Sequence, residues 1–92
     1  MQFKKELREL VKSGEVTKTV RIWKSQRVKV GNAYRLSPGQ VVVDSIHRIG
    51  LEDITPSLAR ETGFAGVASL VKTASHGEGE NVYLIAFHYV HE

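Results

Sequence analysis

Apolar residues change their spacing several times along this chain, and each change marks a predicted element. Phe3, Leu7, Leu10 and Val11 recur at helical spacing with Lys and Glu between them, and Ser13-Gly14 supplies a stop. Residues 2–13 therefore read as an amphipathic helix. From Val16 to Trp23 the period drops to two. Val16, Lys18, Val20 and Ile22 fall on one face and Thr17, Thr19, Arg21 and Trp23 on the other, with a β-branched density that favours a strand. Lys24–Lys29 is polar and reads as loop. A second strand spans Asn32–Leu36 and is closed by Ser37-Pro38-Gly39-Gln40, where Pro then Gly suits a type II turn.

Val41–Ile49 is the third strand. Its consecutive valines predict a central position with burial on both sides, and a short further strand fits near Arg48–Leu51. Thr55-Pro56 pairs an N-cap residue with proline at the first helical position, and Gly63 ends that helix. Phe64–Lys72 carries a second helical pattern. Ser75–Glu80 is an acidic turn, and Asn81–Val90 alternates as the closing strand. This order predicts a single domain over 1–92 of the α+β class. Its expected form is a small mixed β-barrel with an N-terminal helix and a helical crossover.

Composition narrows the function classes. Hydrophobic residues make up 41% and charged residues 25%, the balance of an ordinary soluble globule. The chain has no cysteine, which removes disulfides, thiolate nucleophiles and cysteine-built zinc sites and fits a reducing cytoplasm. Met1–Lys12 lacks the apolar run of a signal peptide, and no stretch reaches the roughly 18 apolar residues of a membrane span. His47, His76, His88 and His91 form no metal-binding spacing, so neither metal nor cofactor is expected.

Charge adds the most. The first 36 residues hold ten Lys/Arg against Glu6, Glu9 and Glu15, a net of +7. The rest holds three against seven acids, −4, so the total of +3 conceals a strong dipole. Val16–Val43 contains Lys18, Arg21, Lys24, Arg27, Lys29 and Arg35 and no Asp or Glu. Such a face suits an anion, and nucleic acid is the commonest large one; a solvated face with no partner and an acidic protein partner are the other readings.

The chain also resembles the ASCH domains, a branch of the PUA-like superfamily. The likeness covers nearly its whole length. It rests on a helix ending in Gly14, the strand Val16-Thr17-Lys18-Thr19-Val20-Arg21, the basic loop leading to Val30-Gly31-Asn32, and Leu51-Glu52-Asp53-Ile54-Thr55 before the helix ending at Gly63-Phe64. The family hallmark is Gly, then Lys two residues on, Thr or Glu five on and Arg seven on. Gly14, Thr19 and Arg21 match it, and Val16 stands where the Lys belongs. The resemblance implies a PUA-like fold and RNA recognition. One branch hydrolyses acetylcytidine with the hallmark Lys, the hallmark Thr and a Glu of the crossover helix. Here those positions are Val16, Thr19 and about Thr62, with Lys18 and Glu61 nearby.

Two uses of one basic cleft follow. As an RNA-binding module, Thr19 and Arg21 would floor the cleft, with Arg21 gripping phosphate through its paired N–H groups. Lys24, Arg27 and Lys29 would wall it, and an exposed Trp23 would stack on a base. In the alternative a hydrolase acts on a modified nucleoside or on RNA, with Lys18, Thr19 and Glu61 as the candidate polar set. A purely structural role would instead pair Arg21 with Asp44 or Glu61.

Overall fold

The structure, a computed structural model, describes residues 1–75 and 79–91. Eight elements follow in order: helix α1 (Lys5–Ser13), strands β1 (Lys18–Trp23), β2 (Ala33–Leu36) and β3 (Gly39–Ile49), a 3₁₀ turn (Leu51–Asp53), helices α2 (Pro56–Glu61) and α3 (Val67–Ala74), and strand β4 (Asn81–Val90). The strands form one antiparallel sheet in the order β1-β4-β3-β2, curled into a half-barrel. The α+β class is as expected, but the closed, mixed barrel is not. The segment near Arg48–Leu51 supplies no separate strand, because β3 runs on to Ile49 and the chain then turns through Leu51–Asp53. Nor is the helical connection a crossover between parallel strands: α2 and α3 link β3 to its antiparallel neighbour β4. Among the described residues the outer edge of β1 meets a single bridge, Ile22 to Ser75.

Both faces of the sheet are buried, against different partners. Val20, Ile22 and Val82 pack beneath α2 and α3 with Ile54, Ala59, Leu70 and Ala74. On the concave face Val41 and Phe87 meet Phe3, Leu7, Val11 and Val16, while Trp23, Val43, Tyr83 and Ile85 meet Val28. A β-bulge lies between Val43 and Ser45, so Asp44 has no partner on β4. Before it Val41 and Val43 face the hollow; after it Ile46 does, opposite Ile85. Side chains normally alternate, and one extra residue shifts that alternation by one. β3 is central, as expected, but its buried residues alternate with exposed Gln40 and Asp44 rather than filling both sides.

Helix α1 begins at Lys5 rather than residue 2. Phe3 still joins the same apolar cluster, reaching Phe87 at 5.4 Å between ring centroids, but on extended chain. The helix ends at Gly14 with φ of 86°, a left-handed cap that glycine adopts without a Cβ penalty. Thr55 caps α2 as anticipated, its Oγ1 accepting from the Leu58 N–H at 3.1 Å, with Pro56 following. Gly63 is left-handed at φ 93°, and a Cβ there would lie 2.3 Å from Leu7 Cδ2, so glycine is required by both backbone and packing. The second helix starts three residues late, at Val67. The β2–β3 turn also differs: Leu36 pairs with Gly39, so the loop is Ser37-Pro38 with a cis peptide between them, not a type II turn with glycine at positive φ.

Candidate nucleic-acid interface

Two cations of the basic segment, Arg21 and Arg27, line one groove of the curled sheet. Arg21, on β1, points into the hollow because it shares a face with Thr19 and Trp23. Its Nε donates to Thr19 Oγ1 at 3.2 Å, another guanidinium nitrogen donates to the Gln2 carbonyl, and its plane lies 5.1 Å from the Phe3 ring centroid. Burial strips water from the guanidinium and pushes its pKa down to about 10, still charged at neutral pH. Both carboxylates proposed as structural partners are engaged elsewhere. Asp44 Oδ1 meets His88 Nδ1 at 2.8 Å, and Glu61 Oε2 meets Lys18 Nζ at 3.9 Å. Among the described residues, no carboxylate pairs with Arg21.

Arg21 opens onto a groove of about 210 Å³, lined also by Met1, Gln2, Trp23, Arg27, Val28 and Tyr34. Strand β1 and the loop after it thus bring Arg21 and Arg27 to one cavity. The loop holds its shape through backbone acceptors: Gln26 Nε2 donates to the Val28 carbonyl at 2.7 Å, and Asn81 Nδ2 to that of Lys24 at 2.7 Å. Lys24 and Lys29 are exposed on the same loop but do not line the groove.

Trp23 corrects an expectation. Its ring is not an exposed platform: the residue is 4% accessible and packs on Tyr83 at 5.7 Å between centroids, with the Arg27 guanidinium 6.0 Å above. Opposite Val43 and Ile85 there was room for one large apolar body, and indole filled it. A more accessible aromatic at the groove is Tyr34, half-buried on β2, its hydroxyl accepting from the Lys29 N–H at 3.1 Å. Sequence reasoning missed it. The available signal was the alternation of Tyr34 and Leu36 on the face opposite Arg35.

The candidate catalytic set does not converge. Lys18 and Glu61 meet on the outer, helix-bearing face as a half-exposed pair, whereas Thr19 is buried on the inner face. Thr62 donates its hydroxyl to the Leu58 and Ala59 carbonyls at 3.1 and 2.9 Å, and Val16 is core. The crevice shared by Thr19 and Arg21, walled by Phe3, Leu7, Phe64 and Thr73, holds about 30 Å³, room for water but not for a nucleobase. His76 lies outside the described residues; His91 lies edge-on to Tyr89 at 4.8 Å. Among the described residues no helix is long and apolar enough to cross a membrane.

The class these features define is a small α+β fold with a four-stranded antiparallel sheet curled into a half-barrel. Compared with protein families, with curated proteins and with solved structures, the chain matches none.

Proposed function

We propose that this chain is an RNA-binding module of ASCH-like, PUA-like type, taking the sugar-phosphate backbone into the groove floored by Arg21 and Arg27. The observation that carries the reading is Arg21 itself. A guanidinium withdrawn from water is ordinarily matched by a carboxylate, and among the described residues Arg21 has the Thr19 hydroxyl and the Gln2 carbonyl as its hydrogen-bond acceptors. A phosphate oxygen supplies the missing charge and accepts the paired N–H donors of Arg geometry. Arg27 adds a second cation on the groove wall, and Lys24 and Lys29 flank it as exposed positioning contacts. Tyr34 offers a ring on which a base can stack, a contact worth roughly 1–3 kcal/mol.

No specific observation favours hydrolysis, since the polar trio is divided between two sheet faces. The deciding experiment is a titration of fluorescent single-stranded RNA across a salt series. Four cations on a single strand give a slope of log K against log salt near roughly −3. A salt-independent affinity, no binding at low salt, or equal binding by an acidic polypeptide refutes the proposal.

A further inference from the structure

The small crevice at Thr19 and Arg21 gathers hydrogen-bond donors. Arg21 Nε donates to Thr19 Oγ1 at 3.2 Å and a second guanidinium nitrogen donates to the Gln2 carbonyl, which leaves further N–H groups of the same fork. The Thr19 oxygen accepts from Nε with a lone pair, so its own O–H proton points elsewhere. Thr73 of α3 lines the crevice as well. The hydroxyls of Thr62 and Ser75 donate to carbonyls of their own helices, whereas among the described residues that of Thr73 has no such bond. Lys4 adds a second cation to the lining, and its carbonyl is already taken by the Leu7 and Arg8 N–H groups at 2.9 and 3.2 Å. The remaining walls, among them Phe3, Leu7 and Phe64, are apolar.

We infer that this crevice binds a small monovalent anion of halide size, ordinarily chloride, on the Arg21 guanidinium with the Thr19 and Thr73 hydroxyls. Size restricts the occupant. The crevice holds about 30 Å³, and one water takes roughly 10–15 Å³ by the same measure, so two waters or one halide fit. Charge then favours the halide. Water satisfies the hydroxyls but leaves a guanidinium charge in low-dielectric surroundings, whereas a halide supplies the opposite charge and accepts N–H and O–H donors from several directions at once. Apolar walls suit a weakly hydrated ion better than a phosphate, whose several oxygens all need donors. Arg21 lines both this crevice and the larger groove, yet the ion site stands whether or not RNA binds there.

Chlorine NMR of the full chain in chloride buffer tests this directly. The chloride line should be broader than in a protein-free sample, should narrow when bromide is added, and should not broaden with Arg21→Met. In thermal melts at low salt, chloride at ten times its dissociation constant favours the folded state about elevenfold, a Tm rise of about 6–11 °C in a domain of this size. Sulfate at matched ionic strength should give less, against its general rank as the stronger stabiliser. Thr19→Val should weaken chloride binding at least roughly tenfold, the worth of one hydrogen bond to a charge. Thr19→Ser keeps the hydroxyl and should retain the affinity, which separates a lost donor from lost packing. A wild-type line no broader than the protein-free one means that water alone fills the crevice, and it overturns the site. A sulfate gain equal to that of chloride, or undiminished broadening with Arg21→Met, overturns it too.

Discussion

Replacing Arg21 with methionine should weaken RNA binding without weakening the fold, a combination that a structural arginine would not give. Burial pushes the pKa of Arg21 down from the ordinary guanidinium value to about 10. At 1.36 kcal/mol per pKa unit, holding the charge there costs about 3 kcal/mol at most, a ceiling because water still reaches one edge. Against this stand two hydrogen bonds to neutral acceptors, each worth about 1 kcal/mol net. Gln2 is exposed, so its carbonyl can turn to water. Methionine keeps an unbranched apolar stem over the Phe3 ring. The balance favours the variant by roughly 0–2 kcal/mol, and at about 4–8 °C per kcal/mol its Tm should stay level or rise by up to about 10 °C. RNA affinity should fall roughly 10- to 100-fold, the worth of a charge-assisted contact, and the salt slope should flatten by about 0.7. The sign with pH is also fixed. The folded pKa lies below the unfolded one, so the cost of the charge is fully present below pH 10 and is relieved as pH rises above about 10 toward the ordinary guanidinium value. The stability gap between variant and wild type should therefore narrow over that window. Differential scanning fluorimetry and anisotropy titrations on the same preparations read all of this. A Tm loss beyond about 8 °C, or unchanged RNA affinity, refutes the reasoning.

Trp23→Ala should destabilise the domain by roughly 3–5 kcal/mol, because it empties a buried site against Tyr83 and Val43; urea titration checks this, and a near-native midpoint would contradict the core placement. Thr55→Ala removes the α2 cap and should cost about 1 kcal/mol, read as a Tm drop of about 4–8 °C, with RNA affinity unchanged. Incubation with acetylcytidine should release no acetate above the uncatalysed rate, since Lys18, Thr19 and Glu61 do not face one cavity; turnover abolished by Lys18→Ala or Glu61→Ala would reverse that conclusion.

Short-range chemistry was the legible part of this fold. Gly14, the Thr55-Pro56 pair and the alternation of Val82, Leu84 and Ala86 act through their own neighbours, and the elements they mark stand where expected. Long-range packing was not legible. Nothing local tells that Trp23 is enclosed by Val28 and Tyr83 rather than exposed, because a strand flanked by basic loop reads alike in both cases. The start of α1 was misplaced for a similar reason. Phe3 obeys helical spacing, but its burial against Phe87 is reached on extended chain, and that same path lets Gln2 meet Arg21. Of the site, Arg21 and Arg27 were readable from charge. Tyr34 needed the fold to bring it beside them.

Asp44, which has no partner on β4, gives β3 its local irregularity. Val41 and Val43 occupy the interior on odd numbers and Ile46 on an even one, so the strand keeps its apolar residues inward only by counting one residue twice. Substituting Asp44 forfeits little beyond its exposed contact with His88. Deleting it is another matter. Val43 and Ser45 would then follow one another as Phe87 and Ala86 do, Ile46 would still face the hollow opposite Ile85, and the bulge with its local bend and added twist would be gone. What position 44 encodes is therefore a bend in β3 rather than a side chain. Related sequences aligned without a gap there could vary freely in identity, whereas a single-residue gap would signal a differently curled sheet and a differently shaped mouth for Arg21.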